Sequence, residues 1–185
     1  ADKLDDERKS RTGVLVLLDG CPVYWKSKRQ EQTAVSTHEA ELYALFTGTR
    51  EAIHFRGLLK DLGFAQPGPT PIYVDNRAVT FTANSEVVTS AHRHIDVRYF
   101  RCRDHVRSKE ISVEWVSGAV NPADLFTKLL QHDLHGVHSK HIACGVPYPP
   151  QSIKLPKRRA CNGGDEENEG PAFVAHLHAY ARSMI

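Results

Sequence analysis

The chain has 185 residues, 41% apolar and 25% charged, which suits one folded domain with a buried core and excludes a fibrous or wholly disordered polymer. No run approaches the length of a membrane-spanning helix, and the polar start "ADKLDDERKS" lacks the pattern of a secretory signal, so an intracellular chain with no membrane partner is expected. A net charge of +2 is too small to argue for nucleic acid alone, and Cys21, Cys102, Cys144 and Cys161 have no CxxC spacing, which leaves dispersed thiols in place of a zinc or redox motif.

Residues 1–12 read as a polar lead-in, and a domain is expected over 13–145. "GVLVLL", 13 to 18, is a buried strand; "DGCP" is turn chemistry, and "PVYWKS" a second strand, so the two form a hairpin. Ser36 can cap a helix while Glu39, three residues on, reaches back as in a capping box. Leu42, Leu45, Phe46, Ala52, Ile53, Phe55, Leu59 and Leu62 then recur at helical spacing until Gly63. "AQPGPTP" is a loop, "IYV" at 72–74 a short buried strand, and "DN" stands where that strand ends and a helix can begin. A helix is expected from about His94 to Lys109, then a strand in "ISVEWV", then a final helix opened by "NPADLFTKLL" with Pro122 in its first turn. Residues 146–185 turn Pro-rich and basic, then acidic and low in complexity, and read as a largely disordered tail with at most a short terminal helix.

Three acids fall at ends of these elements: Glu41 in the first helix turns, Asp75 at a strand C-terminus and Asp124 at the start of the last helix. Carboxylates converging from separate elements suit a two-metal site, since Mg²⁺ prefers oxygen ligands and two ions can clamp both oxygens of a phosphoryl displacement. Each also has an ordinary explanation: Glu41 favours the helix dipole, Asp75 can be an N-cap, and Asp124 is a first-turn acid. Spacing alone leaves both readings open.

"AVSTHEAELYAL", "IYVDN", "HRHIDVRYFRCRDHV" and "NPADLFTKLL", in this order, resemble the ribonuclease H domain that ends the pol polyprotein of copia-type LTR retrotransposons, as do "RKSRTG" and "PVYWKSKRQ". The resemblance covers residues 8 to 145. It implies an α/β, three-layer ribonuclease H-like fold with a mixed sheet, and metal-dependent cutting of the RNA strand of an RNA/DNA hybrid with two Mg²⁺ or Mn²⁺ ions. It also implies a reverse transcriptase domain upstream in the parent polyprotein and a cytoplasmic, particle-associated or nuclear location. Glu41, Asp75 and Asp124 would be the catalytic and metal-ligating acids, with Glu39 left to the helix start.

The family carries four acids, the first on a central first strand lying between the second and fourth. "ADKLDDE" supplies no apolar strand, and Asp2 is a weak remnant of that acid at best. The expectation is therefore a sheet lacking its first strand, with two facing edges exposed, and a site with three acids. That leaves a nuclease and a non-catalytic nucleic-acid-binding relic both in play. "TKLL" also departs from the family, which has Pro after the Lys. Candidate phosphate contacts are Arg98, Arg101, Arg103 and Arg107 on one helix, and Lys26, Lys28 and Arg29 near the hairpin. Gln30, Asn76 and Ser36 are polar candidates for 2′-hydroxyls. His132, His135, His138 and His141 recur every three residues, and His92 and His94 flank Arg93; without Cys partners a solvated helix face is preferred to zinc.

Overall fold

The structure is a computed structural model and describes residues 9–31, 33, 34, 36–85, 97–144 and 177–184. A hairpin comes first: β1 (Arg11–Leu18) pairs antiparallel with β2 (Cys21–Arg29). Between them Asp19 and Gly20 take φ values of 50° and 83°, the pair of left-handed positions that a type I′ turn requires. α1 (Thr37–Asp61) begins at Ser36, whose hydroxyl accepts the Glu39 amide at 3.2 Å. It ends where Gly63, at φ 88°, donates to the Lys60 carbonyl and Phe64 donates to that of Leu59, a Schellman closure.

β3 (Thr70–Val74), α2 (Arg77–Asn84), α3 (Val97–Arg107) and β4 (Ile111–Trp115) follow, then 3-10 turns at Gly118–Val120 and Pro122–Phe126, α4 (His132–Cys144) and β5 (Leu177–Met184). The five strands form one mixed sheet in the order β2-β1-β5-β3-β4. β5 runs antiparallel to β1 and parallel to β3, which is parallel to β4.

The unbroken apolar run of β1 is explained by burial on both faces. Val14 and Val16 join Leu45, Ile72, Val74 and Ile111 beneath the helices. Leu15 and Leu17 join Tyr73, Val116, Val120 and Ala123 beneath the 3-10 turns and α4. Helices, sheet, and turns with α4 thus make three layers. Leu15, Leu45, Ile72 and Ile111 are completely buried, each contributing about 1.5–3 kcal/mol relative to exposure.

Three expectations change. The slot beside β1 is not open: β5 fills it, with each of the residues from Arg11 to Leu18 paired to one between Met184 and Leu177. Leu177–Met184 is accordingly a strand in place of the expected short terminal helix; the alternation in "LHAYARSM" suits a pleated segment once edges exist on both sides to pair with. "NPADLF" is a 3-10 turn and not the opening of the last helix, which starts only at His132. Its bonds run three residues back, from Asp124 to Asn121 and from Thr127 to Asp124, because Asn121, Ala123 and Asp124 are pressed into the sheet and the segment is too short and too anchored to relax into an α-helix. Residues 1–8 and 145–176, and the expected helical residues His94, Ile95 and Asp96, lie outside the described residues. Among the described residues no helix is long and apolar enough to cross a membrane.

Ala179 is fully buried, level with Val16 on one side and Ile72 on the other. A carboxylate there would be enclosed without a counter-charge, so Ala179→Asp is expected to lower unfolding stability by about 3–5 kcal/mol. The same change at the fully exposed Leu129 should stay within about 0.5 kcal/mol. Urea unfolding midpoints of the two variants measure the difference.

Candidate acidic site

One end of the sheet collects the acids. β3 and β4 run parallel, so their C-terminal ends coincide, and the Val116 amide donates to the Val74 carbonyl at 2.9 Å, one residue before Asp75. β1 starts at this end, where Gly13 pairs with Arg182 of β5. The turn bearing Asp124 is seated on the same point. A Cβ on Gly13 would lie 2.7 Å from Thr127 Cγ2 and 2.8 Å from the Ala123 carbonyl, so only glycine lets the turn come down on β1. Glu41 is brought in by Gln30, whose side-chain amide donates to Thr12 Oγ1 at 2.9 Å and to the Ala40 carbonyl at 3.0 Å, tying the start of α1 to the start of β1.

The ordinary explanations of these acids then separate from the chemical one. Asn76, not Asp75, caps α2, accepting the Ala78 and Val79 amides at 3.0 and 3.3 Å. The Asp75 carbonyl accepts the Trp115 indole N–H at 3.1 Å, and its Oδ2 lies 3.2 Å from where a Cβ on Gly118 would stand. Glu41 is buried, too enclosed to serve merely as a solvated partner of the helix dipole. Asp124 is 3% exposed and its Oδ2 accepts Lys128 Nζ at 3.0 Å. Burial pushes its carboxyl above the ordinary range, and the hydrogen bond and charge of Lys128 oppose that rise.

The resemblance implies two Mg²⁺ or Mn²⁺ ions, and carboxylate oxygens are the right donors for them. The arrangement does not fit. Among the described residues no three His, Cys, Asp or Glu side chains are placed to hold a metal ion. Asp124 is already paired through Oδ2 with the Lys128 ammonium, and the central strand "LHAYARSM" brings no carboxylate to the sheet.

The basic residues divide. Arg101 and Arg107 are exposed on α3, whereas Arg103 is 3% exposed, with its guanidinium 5.6 Å from the centre of the Tyr99 ring, and is no surface phosphate contact. Arg98 lies on the same helix. Lys26 is 4.0 Å from Glu51 and Lys28 is 2.7 Å from Glu31, while Arg29 is exposed. Gln30, Asn76 and Ser36 are all engaged in holding the backbone. Of the histidines on α4, His138 is wholly buried, against the expectation of a solvated face; its imidazole is pushed down to about 4, first by burial and then by His141, His135 and Lys128. His92 and His94 lie outside the described residues. Sequence reasoning missed Lys128, although its spacing of four from Asp124 is a recognisable ion-pair signal.

The two shifted groups have opposite pH signatures. An acid shifted upward binds its proton more tightly when folded, so stability falls as pH rises from about 3.8 through the raised folded value. Asp124→Asn is expected to be more stable than the parent at neutral pH and to lose that advantage as pH drops through this window. Lys128→Gln should be less stable at neutral pH and recover on acidification. For His138 the unfolded chain takes the proton first, so stability falls as pH drops from 6.5 to about 4. His138→Leu should flatten that limb. Urea midpoints collected across the range read all three variants.

No family model and no solved structure matches the chain. The retrovirus-related Pol polyprotein from transposon TNT 1-94 of Nicotiana tabacum is 33% identical over 141 residues, which is 72% of this chain and 10% of that polyprotein. The Pol polyproteins of transposons RE1 and RE2 of Arabidopsis thaliana are each 33% identical, over 68% and 78% of the chain and 8% and 10% of their own lengths. The chain spans about a tenth of the relatives it matches. It is a homologue of one region of the retrovirus-related Pol polyproteins of plant transposons.

Proposed function

We propose that the chain is a ribonuclease H-type domain derived from a retrotransposon Pol polyprotein, and that in this arrangement it binds an RNA/DNA hybrid without cutting it. The strand order, the three layers and the placing of Glu41, Asp75 and Asp124 at one sheet end support the family reading. The observation that carries the non-catalytic half is the ion pair between buried Asp124 and Lys128 at 3.0 Å. A cation centre for phosphoryl transfer needs that carboxylate as a ligand, and here its charge is already compensated.

Binding would come from the exposed guanidinium groups of Arg101 and Arg107, with Arg98 on the same helix and Arg29 on the hairpin. Phosphates give such contacts affinity without sequence preference. α3 ends near the starts of β3 and β4, where the Glu110 amide donates to the His105 carbonyl and the Thr70 amide to that of Glu110, and at its first turn the Tyr99 hydroxyl donates to the Thr82 carbonyl of α2. In the parent polyprotein, the reverse transcriptase domain upstream would supply that hybrid.

The test is a hybrid-binding titration paired with a cleavage assay in Mg²⁺ and in Mn²⁺. Binding that weakens with salt is expected, with no cleavage above background. Arg101→Gln with Arg107→Gln should reduce the slope of log affinity against log salt by about 2. Cleavage that disappears in Asp75→Asn would overturn the non-catalytic reading and establish a working nuclease.

A further inference from the structure

β4 is an edge strand, and a groove of about 490 Å³ runs between its end and α2, lined by Arg77, Thr80, Phe81, Asn84, Ser85 and Trp115. Phe81 is 75% exposed, although α2 already buries Val79, Thr82 and Ala83 against the core. Trp115 is 40% exposed, and the Arg77 guanidinium stands 4.3 Å from the centre of its ring. Among the described residues Arg77 has no hydrogen bond or ion pair, and no acid lines the groove. Cation–π attraction holds the guanidinium in place while leaving its N–H donors available.

The side-chain donors of Thr80, Asn84 and Trp115 are already engaged. Thr80 Oγ1 donates to the Asn76 carbonyl at 3.1 Å, and the Asn84 amide donates at 2.9 Å to both Thr80 and Val113 carbonyls. The Trp115 N–H is given to Asp75. What remains is chiefly aromatic surface and one cation, with the Asn84 Oδ1 as an acceptor. That combination suits stacking beside a phosphate and offers little to read the edge of a base. A proline-rich peptide would lose water from its unbonded carbonyls on entering and would find the indole donor already used.

We propose that this groove binds an unpaired nucleotide of a nucleic-acid strand, its base stacked on Phe81 over the Trp115–Arg77 pair and its phosphate met by Arg77. The inference rests on the nucleic-acid reading above and adds a second, single-strand-selective contact beside Asp75. It would hold a strand that continues past the duplex, with little preference for sequence.

The full chain is titrated by fluorescence anisotropy with a blunt RNA/DNA hybrid, the same hybrid with a short single-stranded extension, a single-stranded oligonucleotide and a peptide of residues 146–156. The extended hybrid should bind more tightly than the blunt one. Phe81→Ala, a surface change, should weaken the extended hybrid by about 5- to 100-fold and leave the blunt one unchanged. Arg77→Gln should lower the salt slope for the extended hybrid by about 1. Equal affinity for both hybrids, or indifference of both to Phe81→Ala, overturns the proposal, as does Phe81-dependent binding of the peptide with none of the oligonucleotide. If neither hybrid binds but the oligonucleotide does so through Phe81, the groove stands and the hybrid-binding reading falls.

Discussion

Everything in this fold depends on the seating of β5. It lies in the middle of the sheet, and its backbone groups satisfy β1 along one side and β3 on the other. Removing it would leave a two-stranded antiparallel ribbon and a two-stranded parallel pair, neither of which forms a stable sheet alone. The unfilled edges would carry unpaired amides and carbonyls beneath α1, where Val14, Val16, Ile72 and Val74 are buried. A segment from the far end of the chain thereby ties together elements that are otherwise successive in sequence. Such a long-range pairing is costly in loop-closure entropy and comes late in contact order, so completion of the core waits on it.

The acid end inherits its geometry from that seating. Gly13 lies where β5, β1 and the Asp124 turn meet, and its missing side chain sets how closely the turn approaches. With Asp124 pressed into a dry position, its charge needs compensation from nearby. Lys128, on the next turn of chain, supplies it at 3.0 Å while keeping 27% of its own side chain in solvent. An ammonium can do this one-to-one job with a single carboxylate. A pair of divalent cations would need several carboxylates aimed at common points, which Glu41 and Asp75 do not provide alongside it among the described residues.

Much of this is legible in the sequence, for local reasons. Asp19-Gly20, Ser36 and Gly63 each sit where backbone chemistry demands those residue types, so the hairpin and the long helix are bounded by the residues themselves. The central slot is readable only as a gap. "LHAYARSM" has no long apolar run and follows a stretch of Pro and acidic residues, so nothing local marks it as a core strand; its identity comes entirely from two edges far away in sequence. The "NPADLF" segment fails in the opposite sense: its capping signal is real, since Asn121 does accept the Ala123 amide at 3.1 Å, but packing against Gly13 ends the helix after one turn. The groove is not readable in the sequence because, although Arg77 and Phe81 share a face of α2 at a spacing of four, nothing links Trp115 to them until α2 lies along the edge of β4.

Phosphate binding and phosphate cutting differ in how much disorder they tolerate. An exposed arginine reaches a phosphate over a range of rotamers and through water, so affinity survives small displacements of the helix that carries it. A reactive centre must hold its groups to within about 0.5 Å. The pairing of Asp124 with Lys128 bears on the acid end alone, while Arg101, Arg107 and Arg77 stand on the surface. On the proposed reading, recognition through exposed guanidinium groups tolerates displacements that a reactive centre does not, so the two properties can be separated by substitution on this one sheet.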